Sequence, residues 1–196
     1  MRSRFWPFVC LPFLALASAS PALAGQSELE KIFARHPASP ASNICMIRHY
    51  DTAHLASHPD QNVTDMLVYI GKRQGEQDGF VYYDINAQLR FRDSKKDWTF
   101  SGGCGRKAGE ASSIGCGIDC DGGGYDVSIK DDKSIALKIT SAIRLSEPES
   151  DEPVNTAGFK SGDNDFILKQ TALRDCLPVI YDDDLKARIS SGAVTQ

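Results

Sequence analysis

From Phe80 to Arg92 the sequence alternates between two kinds of residue. Ile85, Ala87, Leu89 and Phe91 fall on one side of a period of two, and Asp84, Asn86, Gln88, Arg90 and Arg92 fall on the other. A helix would scatter these apolar residues around its circumference, whereas a strand gathers them on one face. The segment is therefore a strand with one face on a core and the other in water, and it requires partner strands. Ile44 to Arg48 and Val63 to Ile70 are β-favouring, with a polar turn following from Gly71 to Gly79. Trp98 and Phe100 continue the period of two. Tyr125, Val127 and Ile129, then Ile135, Leu137 and Ile139, and finally Phe166 and Leu168 repeat the pattern. The total is about eight short β segments spaced roughly 8–12 residues apart, with little helix between them. The expected fold is mainly β: a single-domain antiparallel β-barrel or sandwich with short N- and C-terminal helices. A barrel is the better fit, because closure removes the exposed edges, and its interior is either filled by side chains or just wide enough for one small ligand.

The two ends carry different signals. Arg2 and Arg4, the mostly apolar run from Phe5 to Ala17 and the small residues of Pro21-Ala22-Leu23-Ala24 read as a cleaved export signal over residues 1–24. The apolar run is shorter than the roughly 20 residues of a membrane-spanning helix, and no later stretch supplies one. Ser27-Glu28-Leu29-Glu30 has the form of a capping box, and Leu29, Ile32 and Phe33 follow at helical spacing until Pro37. Residues 25–42 thus read as a short helix and linker ahead of one β-rich domain over 43–196. Near the other end, Thr171 to Leu177 reads as one helical turn stopped by Pro178. Asp182 to Ile189 reads as a terminal helix with acidic residues at its start and Gly192 beyond it. Ser146 to Asp165, acidic and rich in Pro and Gly, reads as a long loop.

Loss of Arg2 and Arg4 with the leader leaves 20 basic against 26 acidic residues. That balance disfavours nucleic acid as a partner, since a phosphate backbone calls for clustered Lys and Arg. The expected location is periplasmic or secreted, where cysteines pair.

Trp98 to Ile129 concentrates the covalent constraints, with three of the six cysteines and nine of the sixteen glycines. After export five cysteines remain, Cys45, Cys104, Cys116, Cys120 and Cys176, so at least one is left over. If 98–104 and 114–120 are hairpin strands, Cys104 faces Cys116 within bridging distance. Cys120 then looks elsewhere, to Cys45 or Cys176.

Three groups of residues bear on function. His49, His54 and His58 form the densest set of ligand types. If residues 51–58 form a helical turn, His54 and His58 share a face at a spacing that suits zinc or copper, against the plainer reading of a surface turn. The run from Asp119 to Asp126 looks like an acidic calcium loop, but on the EF-hand pattern Lys130 stands where a bidentate Glu belongs. Only a non-EF site using Asp119, Asp121 and Asp126 remains, against a turn built of residues that tolerate positive φ. Asn62-Val63-Thr64 is a glycosylation sequon. Gly103-Cys104-Gly105 with Gly109 does not have the spacing of a dinucleotide loop. Cys45 stands near Arg48 and His49 as a thiol candidate, though a bridged or buried cysteine is the plainer reading. Serine-hydrolase elbows, phosphate loops, CxxC pairs and HExxH are absent from the sequence. The expectation is an exported, non-enzymatic barrel that binds a small apolar ligand in its interior or a partner at its open end. The alternatives are a transition-metal protein using the three histidines, or a protein–protein module, such as an inhibitor of an exported enzyme, that presents the 146–165 loop.

Overall fold

The computed structural model describes residues 43–74, 80–107, 114–118, 121–147, 153–154 and 158–195. The expected leader, N-terminal helix and linker fall on residues 1–42, outside the described residues. Ten strands follow in order: β1 (Asn43–His49), β2 (Val63–Gln74), β3 (Phe80–Phe91), β4 (Trp98–Lys107), β5 (Ile114–Gly117), β6 (Gly124–Asp131), β7 (Ser134–Ile139), β8 (Leu145–Ser146), β9 (Pro153–Val154) and β10 (Asp165–Thr171). Three short helices accompany them: α1 (Thr52–Ser57), a 3-10 helix (Leu173–Val179) and α2 (Asp183–Ser190).

Eight of the strands close into an antiparallel barrel. Around the wall the order is β3, β2, β1, β10, β7, β6, β5 and β4, and β4 returns to β3. The alternation read in the sequence is the alternation of the wall. Tyr83, Ile85, Ala87, Leu89 and Phe91 of β3 point inward and are buried, while Asp84, Asn86, Gln88 and Arg90 point out. The interior is filled: Tyr83, Tyr125, Phe166, Met46, Met66 and Ile70 are all less than 2% exposed. They form one cluster that includes the Cys104–Cys116 disulfide.

A second, smaller core lies on the outside of the wall. Ile44 and Met46 point into the barrel, so Cys45 between them points out. There it meets Tyr69 of β2 under a cover of Leu173, Cys176, Val179, Ile180 and Ile189. The Cys45–Cys176 disulfide ties that cover to β1. The cover is a 3-10 helix running through Pro178 rather than an α-turn ending before it. Its buried residues Leu173, Cys176 and Val179 recur every third position, which places them on one side at three residues per turn. In α2, Asp182 caps the helix by accepting a hydrogen bond from Leu185 N at 2.9 Å.

Two further segments differ from expectation. β2 continues through Gly71 to Gln74 instead of turning after Ile70, because Gly71, Lys72 and Arg73 pair with Asp84, Tyr83 and Tyr82 of β3. The 146–165 stretch is partly built into the fold. β8 pairs with both β4 and β9, and Phe159 packs edge-on against Phe91 with ring centroids 5.5 Å apart. Asp163 is wholly buried, and its carboxylate accepts hydrogen bonds from the backbone N–H groups of Asn62, Val63 and Lys160 at 2.9–3.1 Å. The described parts of the connection are thus anchored to the barrel.

Candidate functional site

Among the described residues, space large enough for a ligand lies outside the wall. A cleft of about 810 Å³ opens between the outward faces of β2, β3 and β4 and the segment from Ile180 to Arg188. Its floor follows from the strand register. Gly71 of β2 pairs with Asp84 of β3, and Asp84 pairs in turn with Gly103 of β4. A carboxylate therefore stands in the middle strand between two residues that have no side chain of their own. In the next row, Asn86 lies between Tyr69 and Ser101. Directly opposed residues share a face, so both rows look outward together.

The two glycines have different reasons to be glycine. A Cβ at Gly71 would lie 2.6 Å from the Tyr69 hydroxyl, so Gly71 is where the tyrosine side chain crosses the floor. At Gly103 the nearest atom to such a Cβ is the Tyr83 carbonyl oxygen at 3.9 Å. Internal packing does not require glycine there, and the missing side chain leaves the floor open.

The polar groups of the floor are held in place. Arg73 donates to both oxygens of Asp84, at 2.6 and 3.0 Å, which fixes the guanidinium in one plane. The pair is half exposed and of a kind that contributes roughly 0–1 kcal/mol to stability. Its effect is on position. Tyr69 donates to Asn43 Oδ1 at 2.6 Å. Burial, followed by the negative charges of Asp84 and Asp182, pushes the Tyr69 hydroxyl up to about 12, so it stays a neutral donor. Lys72 and Arg188 line the cleft along with Asp182 and Asp184, and Tyr181 stands on the rim 57% exposed. A smaller cleft of about 490 Å³ lies between the end of β10 and the C-terminal tail, lined by Gln170, Leu173, Arg174, Ile189 and Val194 among others.

The three histidines are near one another but aim differently. α1 forms as expected, capped by Asp51, which accepts from His54 N at 2.7 Å. His54 and His58 lie on the same face, but with rings stacked 4.0 Å apart and 12° from parallel. Tyr50 stacks on His54 at 4.6 Å, and Arg48 caps Tyr50 at 4.2 Å. The His54 ring is hydrogen-bonded to Gln61 and the His58 ring to its own helix carbonyl at His54. His49 turns away to Asp65, with Nδ1 and Oδ1 2.6 Å apart. Among the described residues, no three His, Cys, Asp or Glu side chains are grouped so as to hold a metal ion.

Of the acidic-loop residues, Asp119 lies outside the described residues. Asp121 adopts φ +60, and Asp126 sits exposed on β6 opposite Gly115 and Lys138. The carbonyls of Gly122 and Gly123, which a cation would use, accept hydrogen bonds from Arg144 N and Ile118 N. Cys104 and Cys116 are bridged, as the hairpin register implies. Cys45 and Cys176 are bridged to each other, which corrects the expectation that one of them takes Cys120. Cys120 lies outside the described residues, as does Cys10. Because it is bridged to Cys176, Cys45 is no free thiol. The sequon asparagine is wholly buried, and its Nδ2 donates to Asp93 and to the Gly158 carbonyl, so the folded chain offers no acceptor nitrogen at Asn62.

The cleft residues Tyr69, Asp84, Asn86 and Gly103 were not singled out by sequence reasoning. Each belongs to the outward half of an alternating strand, and only cross-strand register brings them together. No protein-family model, no curated protein and no solved structure matched this chain. The fold and the cleft define a class: a closed eight-stranded antiparallel barrel with a packed interior and a polar cleft on its outer wall. Among the described residues no helix is long and apolar enough to cross a membrane.

Proposed function

We propose that this is an exported, non-catalytic binding protein whose barrel is a rigid scaffold and whose ligand or partner is held outside the wall, in the cleft floored by β2, β3 and β4. One contrast carries this reading: the interior is occupied by Tyr83, Tyr125 and Phe166, whereas Gly103 leaves the outer floor open without any packing need to do so. A fixed polar floor beneath a ligand-sized space, roughly 300–1,000 Å³ for small-molecule sites, suits binding. Asp84 is tied to Arg73 and Tyr69 is a neutral donor, so neither is placed as a general base. A small apolar ligand inside the barrel is the weaker version, because the room it needs is taken. Zinc or copper at His49, His54 and His58 is weaker too, since His49 is held on Asp65 and the other two rings stack face to face. Two formed disulfides accord with a periplasmic or secreted address.

Native mass spectrometry of the exported protein, purified without chelator, tests the reading against Gly103→Trp, which places an indole in the cleft. A bound species carried by the wild type and lost in the variant, with thermal unfolding unchanged, is the expected result. A species retained by Gly103→Trp would move the ligand away from the cleft. A metal adduct lost in His54→Ala/His58→Ala would favour the histidine cluster instead.

A further inference from the structure

We infer that the cleft takes an uncharged, polyhydroxylated ligand, a neutral saccharide chain; this rests on the cleft being the binding site. The first observation is charge balance. Lys72, Arg73 and Arg188 are matched by Asp84, Asp182 and Asp184, and Arg73 and Asp84 are already paired with each other. A site for a phosphate or carboxylate would hold an excess of cations, and a site for a cation would hold an excess of carboxylates. This cleft holds neither.

The second observation is the type of polar group on the floor. Asn86 and Ser101 are direct cross-strand neighbours, and no hydrogen bond among the described residues engages their side chains. An amide presents donors and an acceptor, and a hydroxyl presents both. Adjacent sugar hydroxyls present the same mixture, so they can be met group for group at a fixed spacing. Arg73 and Asp84 extend the same planar donor and acceptor surface along the strands.

The third observation is aromatic. Tyr181, 57% exposed, is the most exposed large hydrophobic side chain among the described residues, and it stands on the rim. Tyr82, 38% exposed, lies on the outer face one row beyond Asp84, with the Arg73 guanidinium 5.6 Å from its ring centroid. A sugar ring has an apolar C–H face and a polar edge, so it can lie on a tyrosine face while its hydroxyls reach the floor. A peptide added as a strand is excluded at the floor, because β2 and β3 are hydrogen-bonded on both sides.

The test is an amide chemical-shift titration of the full exported chain with N-acetylchitotetraose, cellotetraose, maltotetraose and mannotetraose. Tetragalacturonate and the chitosan tetramer serve as charged controls. At least one uncharged tetramer should shift the amides of Asn86, Ser101, Gly103 and Tyr181, and Tyr181→Ala should weaken that binding about tenfold without lowering the melting temperature. Preference for a charged tetramer in the cleft overturns the saccharide inference and leaves the cleft as the binding site. No shift with any uncharged tetramer, while Gly103→Trp still displaces a species carried by the wild type, does the same. Saccharide shifts that map away from the cleft, undiminished in Gly103→Trp, overturn both.

Discussion

Among the described residues, Cys104 and Cys116 face each other across the shortest seam of the barrel. Among the described residues β4 and β5 share two register pairs, Gly103 with Gly117 and Cys104 with Cys116, and the second of these is the disulfide. Every other seam of the wall is longer. The bridge closes a loop of sequence separation 12, and a loop of that size is worth about 3 kcal/mol in the chain-entropy account. Cys104→Ser/Cys116→Ser should lower the urea midpoint by a corresponding amount. It should also raise hydrogen exchange at the Gly103 and Gly117 amides before the rest of the wall opens. Unchanged exchange at those two amides would mean that hydrogen bonding alone holds the seam.

Neighbouring glycines in β4 should respond in opposite ways. A Cβ at Gly102 would stand 2.5 Å from the Gly117 carbonyl oxygen and 3.0 Å from the Tyr125 hydroxyl, both inside the wall. Gly102→Ala therefore forces the seam apart and should destabilise by about 1–3 kcal/mol. Gly103→Ala meets nothing closer than the Tyr83 carbonyl oxygen at 3.9 Å and should change stability by less than about 0.5 kcal/mol. Parallel urea melts check the pair, and equal losses would contradict the assignment of inner and outer faces.

The sequence made the wall legible and the cleft not. Period-two alternation in Ile85, Ala87, Leu89 and Phe91 reports which face is buried, because burial acts on every second residue. The Cys104–Cys116 bridge was legible for the same reason, as a hairpin fixes local register. Cys45–Cys176, with a separation of 131, depends on a cover helix returning to β1 and has no local signature. Its one hint was that Cys45, between inward-pointing Ile44 and Met46, must face out. The burial of Asp163 was hidden too, since it is set by three backbone donors and not by apolar neighbours. The cleft depends on Gly71, Asp84 and Gly103 standing in one row across three strands, and register is a tertiary fact.

Asp163 should prove to be a keystone. Its carboxylate is wholly buried and serves the N–H groups of Asn62, Val63 and Lys160. Asp163→Asn keeps the shape but turns an NH₂ toward a donor, leaving buried donors unmet at about 2–4 kcal/mol in total. Equilibrium unfolding of the variant measures this. Deleting residues 146–165 should likewise impair folding, so such a deletion cannot separate a partner-binding role from a structural one.

Tyr125 offers the reverse case. Its hydroxyl is buried in the barrel and has no hydrogen-bond partner among the described residues. An unmet buried hydroxyl costs about 1–3 kcal/mol, and Phe keeps the ring while removing it. Tyr125→Phe should raise stability by about 1 kcal/mol. A loss in the urea midpoint would show that the hydroxyl has a partner.

Tyr69 sets the alkaline limit of the fold. Its hydroxyl rises from 10.0 in the unfolded chain to about 12 when folded, through burial and then the charges of Asp84 and Asp182. Between those values the unfolded chain has released the proton while the folded chain still holds it. Folding stability therefore falls as pH rises from about 10 to 12, by on the order of 2 kcal/mol from this group, and is fully present below pH 10. Tyr69→Phe, which cannot ionise, should flatten that part of the stability profile while losing the hydrogen bond to Asn43 at every pH. Urea melts of both proteins across this range, with tyrosinate absorbance followed in parallel, decide the matter. An equal alkaline loss in wild type and variant would assign it to Tyr50 and Tyr125, whose hydroxyls are also raised by burial.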